Sequence, residues 1–91
     1  MVRVHLIISG FVQGVGFRYF VKQKADELAL TGWVRNTPEG NVEVVLEGDQ
    51  KKLEEVIAVC REGPPPASVK NVSVEESEAT GEFRSFEIAY S

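Results

Sequence analysis

Ninety-one residues suffice for one hydrophobic core and are too few for two, and 43% hydrophobic with 26% charged residues is the balance of an ordinary soluble domain. No apolar run nears the roughly 20 residues that span a bilayer, and no secretory signal precedes the first apolar pattern, so a cytoplasmic protein without membrane partners is expected. A net charge of −4 argues against a general nucleic-acid binder, while a lone Cys60, with His5 as the only other soft ligand, argues against an internal disulfide and a zinc site.

From the N-terminus, Val2, Val4, Leu6 and Ile8 alternate with mostly polar neighbours, which predicts a strand over 2–8. His5 falls on its other face, about five residues or ~17 Å of strand before Gly10. It reads as an exposed strand histidine and not as a general base. The stretch Gly10-Phe11-Val12-Gln13-Gly14-Val15-Gly16-Phe17-Arg18 then joins this strand to a segment with helical spacing. Its three glycines let backbone N–H groups turn inward where a helix offers unpaired first-turn donors. Arg18 adds a planar fork that fits two oxygens of a phosphate or carboxylate. The stretch therefore reads as a phosphate cradle, and equally as glycines that only make a turn beside a solvated arginine. Two better-known glycine motifs fail here. The run from Gly14 has Tyr19 where a dinucleotide fingerprint needs its third glycine, and no Gly-Lys-Ser/Thr follows.

Phe17, Phe20, Val21, Lys24, Ala25 and Leu28 recur at helical spacing, predicting a helix over 17–30 whose aromatic residues pack in a core and do not stack on bases. Gly32 ends it. Residues 32–37 read as a strand, Pro38-Glu39-Gly40-Asn41 as a turn, and Val42, Val44 and Leu46 as the returning strand of a hairpin that closes at Gly48. Period two places Val34 and Asn36 on one face and Trp33 and Arg35 on the other. Judged alone, Asn36 is a turn-former and Trp33 a packing residue. Asp49 is placed to cap a second helix, running to about residue 61 on the stripe Leu53, Val56, Ile57 and Cys60, so Cys60 is expected in the core and not as a nucleophile.

Gly63-Pro64-Pro65-Pro66 stops that helix as a stiff connector. Val69, Val72 and Val74 mark a fourth strand, residues 75–81 read as polar and turn-like, and a last strand of unfixed register begins at Phe83 or Phe86 and ends near Tyr90. Residues 1–35 hold five Lys/Arg against two Asp/Glu, whereas 36–91 hold five against twelve. A small anion is thus drawn to the N-terminal third. The order β-α-β-β-α-β-β, or one strand fewer, matches an α+β fold: a ferredoxin-like split β-α-β sandwich, an antiparallel sheet with two helices on one face, forming a single domain over 1–91. That plan hosts many activities and decides none of them.

Two segments resemble the acylphosphatase family. Gly10 to Arg18 is similar to its G-x-V-Q-G-V-x-F-R loop at every fixed position. Gly32-Trp33-Val34-Arg35-Asn36, with Gly40, Val42 and Gly48, is similar to its G-W-V-x-N strand pair. The resemblance covers essentially the whole chain. It implies hydrolysis of an acyl phosphate to a carboxylate and phosphate with no metal and no covalent intermediate; no cofactor is expected, and a monomer is expected. It further implies that the amides of Gln13, Gly14, Val15, Gly16, Phe17 and Arg18, with the Arg18 side chain, hold the phosphoryl group while Asn36 positions the attacking water. The chemistry is consistent with these residues. The leaving carboxylate has a conjugate-acid pKa of roughly 4 and needs no proton donor, and Asn36 does not titrate, which leaves a phosphoryl oxygen to accept the proton. A site built around the phosphoryl end leaves the acyl end unread. The competing readings are a non-catalytic anion-binding module of the same fold, an acylphosphatase-like domain of a larger carbamoyl-transferring maturation protein, and, last, an RNA-binding sheet.

Overall fold

The N-terminal alternation becomes β1 (Val2–Phe11), which runs three residues beyond the predicted strand through a bulge between Ser9 and Gly10. A computed structural model describes residues 1–90. After β1 come α1 (Phe17–Glu27), the hairpin β2 (Thr31–Asn36) and β3 (Val42–Gly48), α2 (Gln50–Glu62), β4 (Ser68–Glu78) and β5 (Phe86–Ile88). The strands form one sheet in the order β4-β1-β3-β2-β5. Val4, Leu6 and Ile8 of β1 stand beside Leu46, Val44 and Val42 of β3, and Val34 of β2 stands beside Val44. All of these point to one face and are buried. The stripes Phe17, Val21, Ala25 of α1 and Leu53, Val56, Cys60 of α2 join the same cluster, so both helices cover that face. Each fully buried aliphatic or aromatic side chain contributes about 1.5–3 kcal/mol.

Cys60 is fully buried, and burial pushes its thiol up to about 12, which leaves it a packing residue. α1 is shorter than its periodicity suggests. It ends at Glu27 because Ala29 takes a left-handed φ of 55°, and the Leu30 amide then reaches back to the Ala25 carbonyl. Asp49 occupies the N-cap position of α2, but its side chain makes no capping hydrogen bond.

The C-terminal third departs furthest from expectation. Residues 75–78, expected as a turn, extend β4 along β1 with Glu78 beside Val2; pairing with a neighbouring strand overrides their polar composition, and their side chains stay in solvent at the sheet edge. The sheet is mixed and not wholly antiparallel, since β5 runs parallel to β2 with Phe86 beside Gly32 and Ile88 beside Val34. The cause is the route of the chain. Leaving β4 at one edge, residues 79–85 cross the helix-free face to the far edge, so β5 starts at the end of the sheet where β4 stops.

That crossing is pinned to Glu47. The Glu47 carboxylate accepts from Arg3 Nε at 2.7 Å, from the Thr80 and Gly81 amides at 2.9 and 3.0 Å, and from the Thr80 hydroxyl at 3.1 Å. Burial alone would raise its pKa; the Thr80 amide, the Arg3 guanidinium and the Gly81 amide outweigh burial and hold the carboxyl at about 2. Arg3 also lies over the Phe83 ring, 5.1 Å from its centroid.

Candidate active site

β1, β2 and β5 run in the same direction, and the residues at or just beyond their carboxyl ends meet around one cleft of about 170 Å³. The loop between β1 and α1 supplies its floor. Gly14 and Gly16 turn with φ of 75° and 79°, and Gly16 is the N-cap of α1. A glycine cap has no side chain to fold back on the helix, and no acidic residue stands in the first turn. The first helical hydrogen bond runs from the Phe20 amide to the Gly16 carbonyl at 3.0 Å, so the amides of Phe17, Arg18 and Tyr19 enter no helical bond. Free donors at the positive end of a helix dipole, with no carboxylate to satisfy them, form an anion-binding arrangement.

Arg18 and Asn36 line this same cleft, Arg18 from the first turn of α1 and Asn36 from the last residue of β2. The two elements that the motifs mark out separately in sequence are thus brought to one place. Gly14, Gly16 and Phe17 line it as well, whereas Gln13 and Val15 do not. Val15 instead packs against the core. The Gln13 side chain turns to the hairpin: its amide nitrogen donates to the Thr37 carbonyl at 2.9 Å and to the Asn41 carbonyl at 2.8 Å. Thr37 is buried and closes the turn, its amide donating to the Asn41 carbonyl at 2.9 Å and its hydroxyl accepting from the Asn41 amide at 3.1 Å. Since Asn36 immediately precedes Thr37, Gln13 ties the glycine loop to the strand end that presents Asn36. Motif reading counts only the backbone of Gln13, and nothing in its neighbours Val12 and Gly14 marks a side chain with a partner of its own.

The far wall was not foreseen. Ile88 of β5 and Tyr90 just after it line the cleft, and the Arg18 guanidinium lies over the Tyr90 ring, 5.0 Å from its centroid. His5, one-third exposed, is on the opposite face of the sheet, its Nε2 2.6 Å from Glu43. Burial would raise the Glu43 carboxyl, but His5 and Arg35, the latter 2.7 Å away, hold it below the usual glutamate range. His5 has a structural partner there and no access to the cleft. Among the described residues, no group of three His, Cys, Asp or Glu side chains stands together as a metal cage would require.

A family model described as Acylphosphatase matches residues 4–88. The chain is 50% identical over 88 residues to a protein named Acylphosphatase from Methylococcus capsulatus, an alignment covering 97% of this chain and 96% of that one. Its fold is similar to the crystal structure of acylphosphatase from Bacillus subtilis, with a TM-score of 0.95 and 40% identity over 99% of this chain and 100% of that chain. It is also similar to part of HypF from T. kodakarensis, with a TM-score of 0.86 and 34% identity, where all of this chain covers only 12% of that one.

Proposed function

The chain belongs to the acylphosphatase family and hydrolyses acyl phosphates to a carboxylate and inorganic phosphate; on that premise we propose a division of labour within the cleft. The phosphoryl group rests on the amides of the loop where Gly14, Gly16, Phe17 and Arg18 line the cleft, the Arg18 fork takes two of its oxygens, and the Asn36 carboxamide orients the attacking water. The observation that carries this reading is the meeting of Arg18, Asn36, Gly14 and Gly16 around one cleft at the uncapped start of α1. An anion-holding module without catalysis would have no use for Asn36 at that place.

The step balances without a proton donor. A water oxygen bonds to phosphorus, the phosphorus–oxygen bond to the acyl group breaks, and its electron pair leaves on the carboxylate, whose conjugate acid has a pKa of roughly 4. The water proton passes to a phosphoryl oxygen, since Asn36 neither gains nor loses a proton at working pH. Phosphoryl transfer is chiefly positioning and charge stabilisation, which the amides and one permanent cation supply. A cleft of about 170 Å³ suits a small-molecule acyl phosphate, and we take the enzyme as a monomer.

Hydrolysis of benzoyl phosphate in excess chelator tests the assignment. The wild-type rate is expected to survive the chelator. Asn36→Ala should lower kcat by about 10²–10³ with phosphate inhibition unchanged, whereas Arg18→Ala should weaken both. A wild-type kcat in Asn36→Ala would remove the water-positioning role. Phosphate binding with no hydrolysis by the wild type would favour the anion-holding module.

A further inference from the structure

The cleft is small. About 170 Å³ is well below the roughly 300–1,000 Å³ of sites that enclose a drug-sized ligand, so the phosphoryl group, its attacking water and the carboxyl carbon fill it, and the rest of an acyl group must leave across the rim. That rim is aromatic. Tyr19 and Tyr90, 69% and 80% exposed, are two of only five large hydrophobic side chains exposed among the described residues, and both border this one cleft. Tyr90 stands beside half-buried Ile88 and has the Arg18 guanidinium over its ring, 5.0 Å from the centroid.

We infer that Tyr90, backed by Ile88, is the surface that reads the acyl end and makes the enzyme favour aryl over short alkyl acyl phosphates. The inference rests on the functional reading above and adds the substrate class. Because Arg18 holds the phosphoryl group and lies on Tyr90, a ring carried one carboxyl carbon beyond the phosphoryl group comes within reach of the tyrosine. The high exposure of Tyr90 leaves ring surface open to meet it. An acetyl methyl adds a single carbon beyond the carboxyl and has little surface to bury there. Offset or edge-to-face aromatic contact would then separate the two classes of substrate by about three- to tenfold.

The test compares kcat/KM for benzoyl phosphate and acetyl phosphate in the wild type, Tyr90→Ala and Tyr90→Phe. Tyr90→Ala is expected to lower the benzoyl-to-acetyl ratio about three- to tenfold, and Tyr90→Phe to keep it, since the ring and not the hydroxyl makes the contact. Both substrates share the phosphoryl group, so a tyrosine that only steadies Arg18 would lower both rates together. An unchanged ratio in Tyr90→Ala, whether the rates fall equally or stay as they are, overturns the inference while leaving the hydrolytic function standing. A wild type that binds phosphate but hydrolyses neither compound overturns the functional reading and this inference with it.

Discussion

At Gly16 the backbone takes φ 79°, and nothing lies within 4 Å of the position a Cβ would occupy. Glycine is required there by conformation and not by crowding, because an L-residue in the left-handed region is disfavoured by about 1–2 kcal/mol. Gly16→Ala should therefore lower stability by about that amount in denaturant unfolding, with Gly16→Asn falling between, since asparagine tolerates the left-handed region. The strain sits in the residue that aims the first-turn amides. A chain that relaxes it must rotate those donors, so the phosphate inhibition constant should rise in the alanine variant. An alanine variant as stable as wild type with unchanged phosphate inhibition would show that the glycine is dispensable.

Between elements, the Gln13 side chain is what fixes the glycine loop to the hairpin that ends in Asn36. Two hydrogen bonds at a net 0.5–1.5 kcal/mol each make Gln13→Ala destabilising by about 1–3 kcal/mol. Because the contact sets the loop against Asn36 and not against the phosphate alone, kcat should fall more than phosphate inhibition weakens; steady-state rates and inhibition by phosphate measure both. Gln13→Ala with wild-type kcat would mean that the loop and Asn36 keep their spacing without it. The elements that sequence shows well are those with a local period. Val4, Leu6 and Ile8, and the stripe through Leu53, Val56 and Cys60, declare the core face within a few residues. What it hides depends on distant partners. The acceptors of Gln13 are backbone carbonyls of a turn, which carry no residue code, and Glu75, Glu76 and Glu78 are strand residues only because β1 lies beside them. The parallel setting of β5 follows from a crossing held by Glu47, so neither its register nor the place of Tyr90 on the cleft rim is written in residues 83–90 themselves.

On the scale of the whole molecule, Glu47 fastens the crossing segment under the sheet, and its carboxyl stands at about 2 in the folded protein against an ordinary 4.5. A depressed folded pKa means that the stabilisation is fully present above pH 4.5 and disappears as pH falls from 4.5 through 2. Wild-type stability should decline across that acid window, and Glu47→Gln should be less stable at neutral pH with a shallower decline, as denaturant midpoints at successive pH values would show. An equally steep acid decline in Glu47→Gln would place the titrating group elsewhere.

The crossing has one more consequence, for a chain that is still being made. Gln13 to Arg18 and Asn36 all lie before Gly48, on elements that pair among themselves through β3, whereas Ile88 and Tyr90 reach the cleft only after α2, β4 and the whole traverse have been synthesised. The two walls of the cleft are therefore supplied by segments far apart in the chain. On the ribosome, the half that carries Arg18 and Asn36 emerges first and remains roofless until residue 90 has followed.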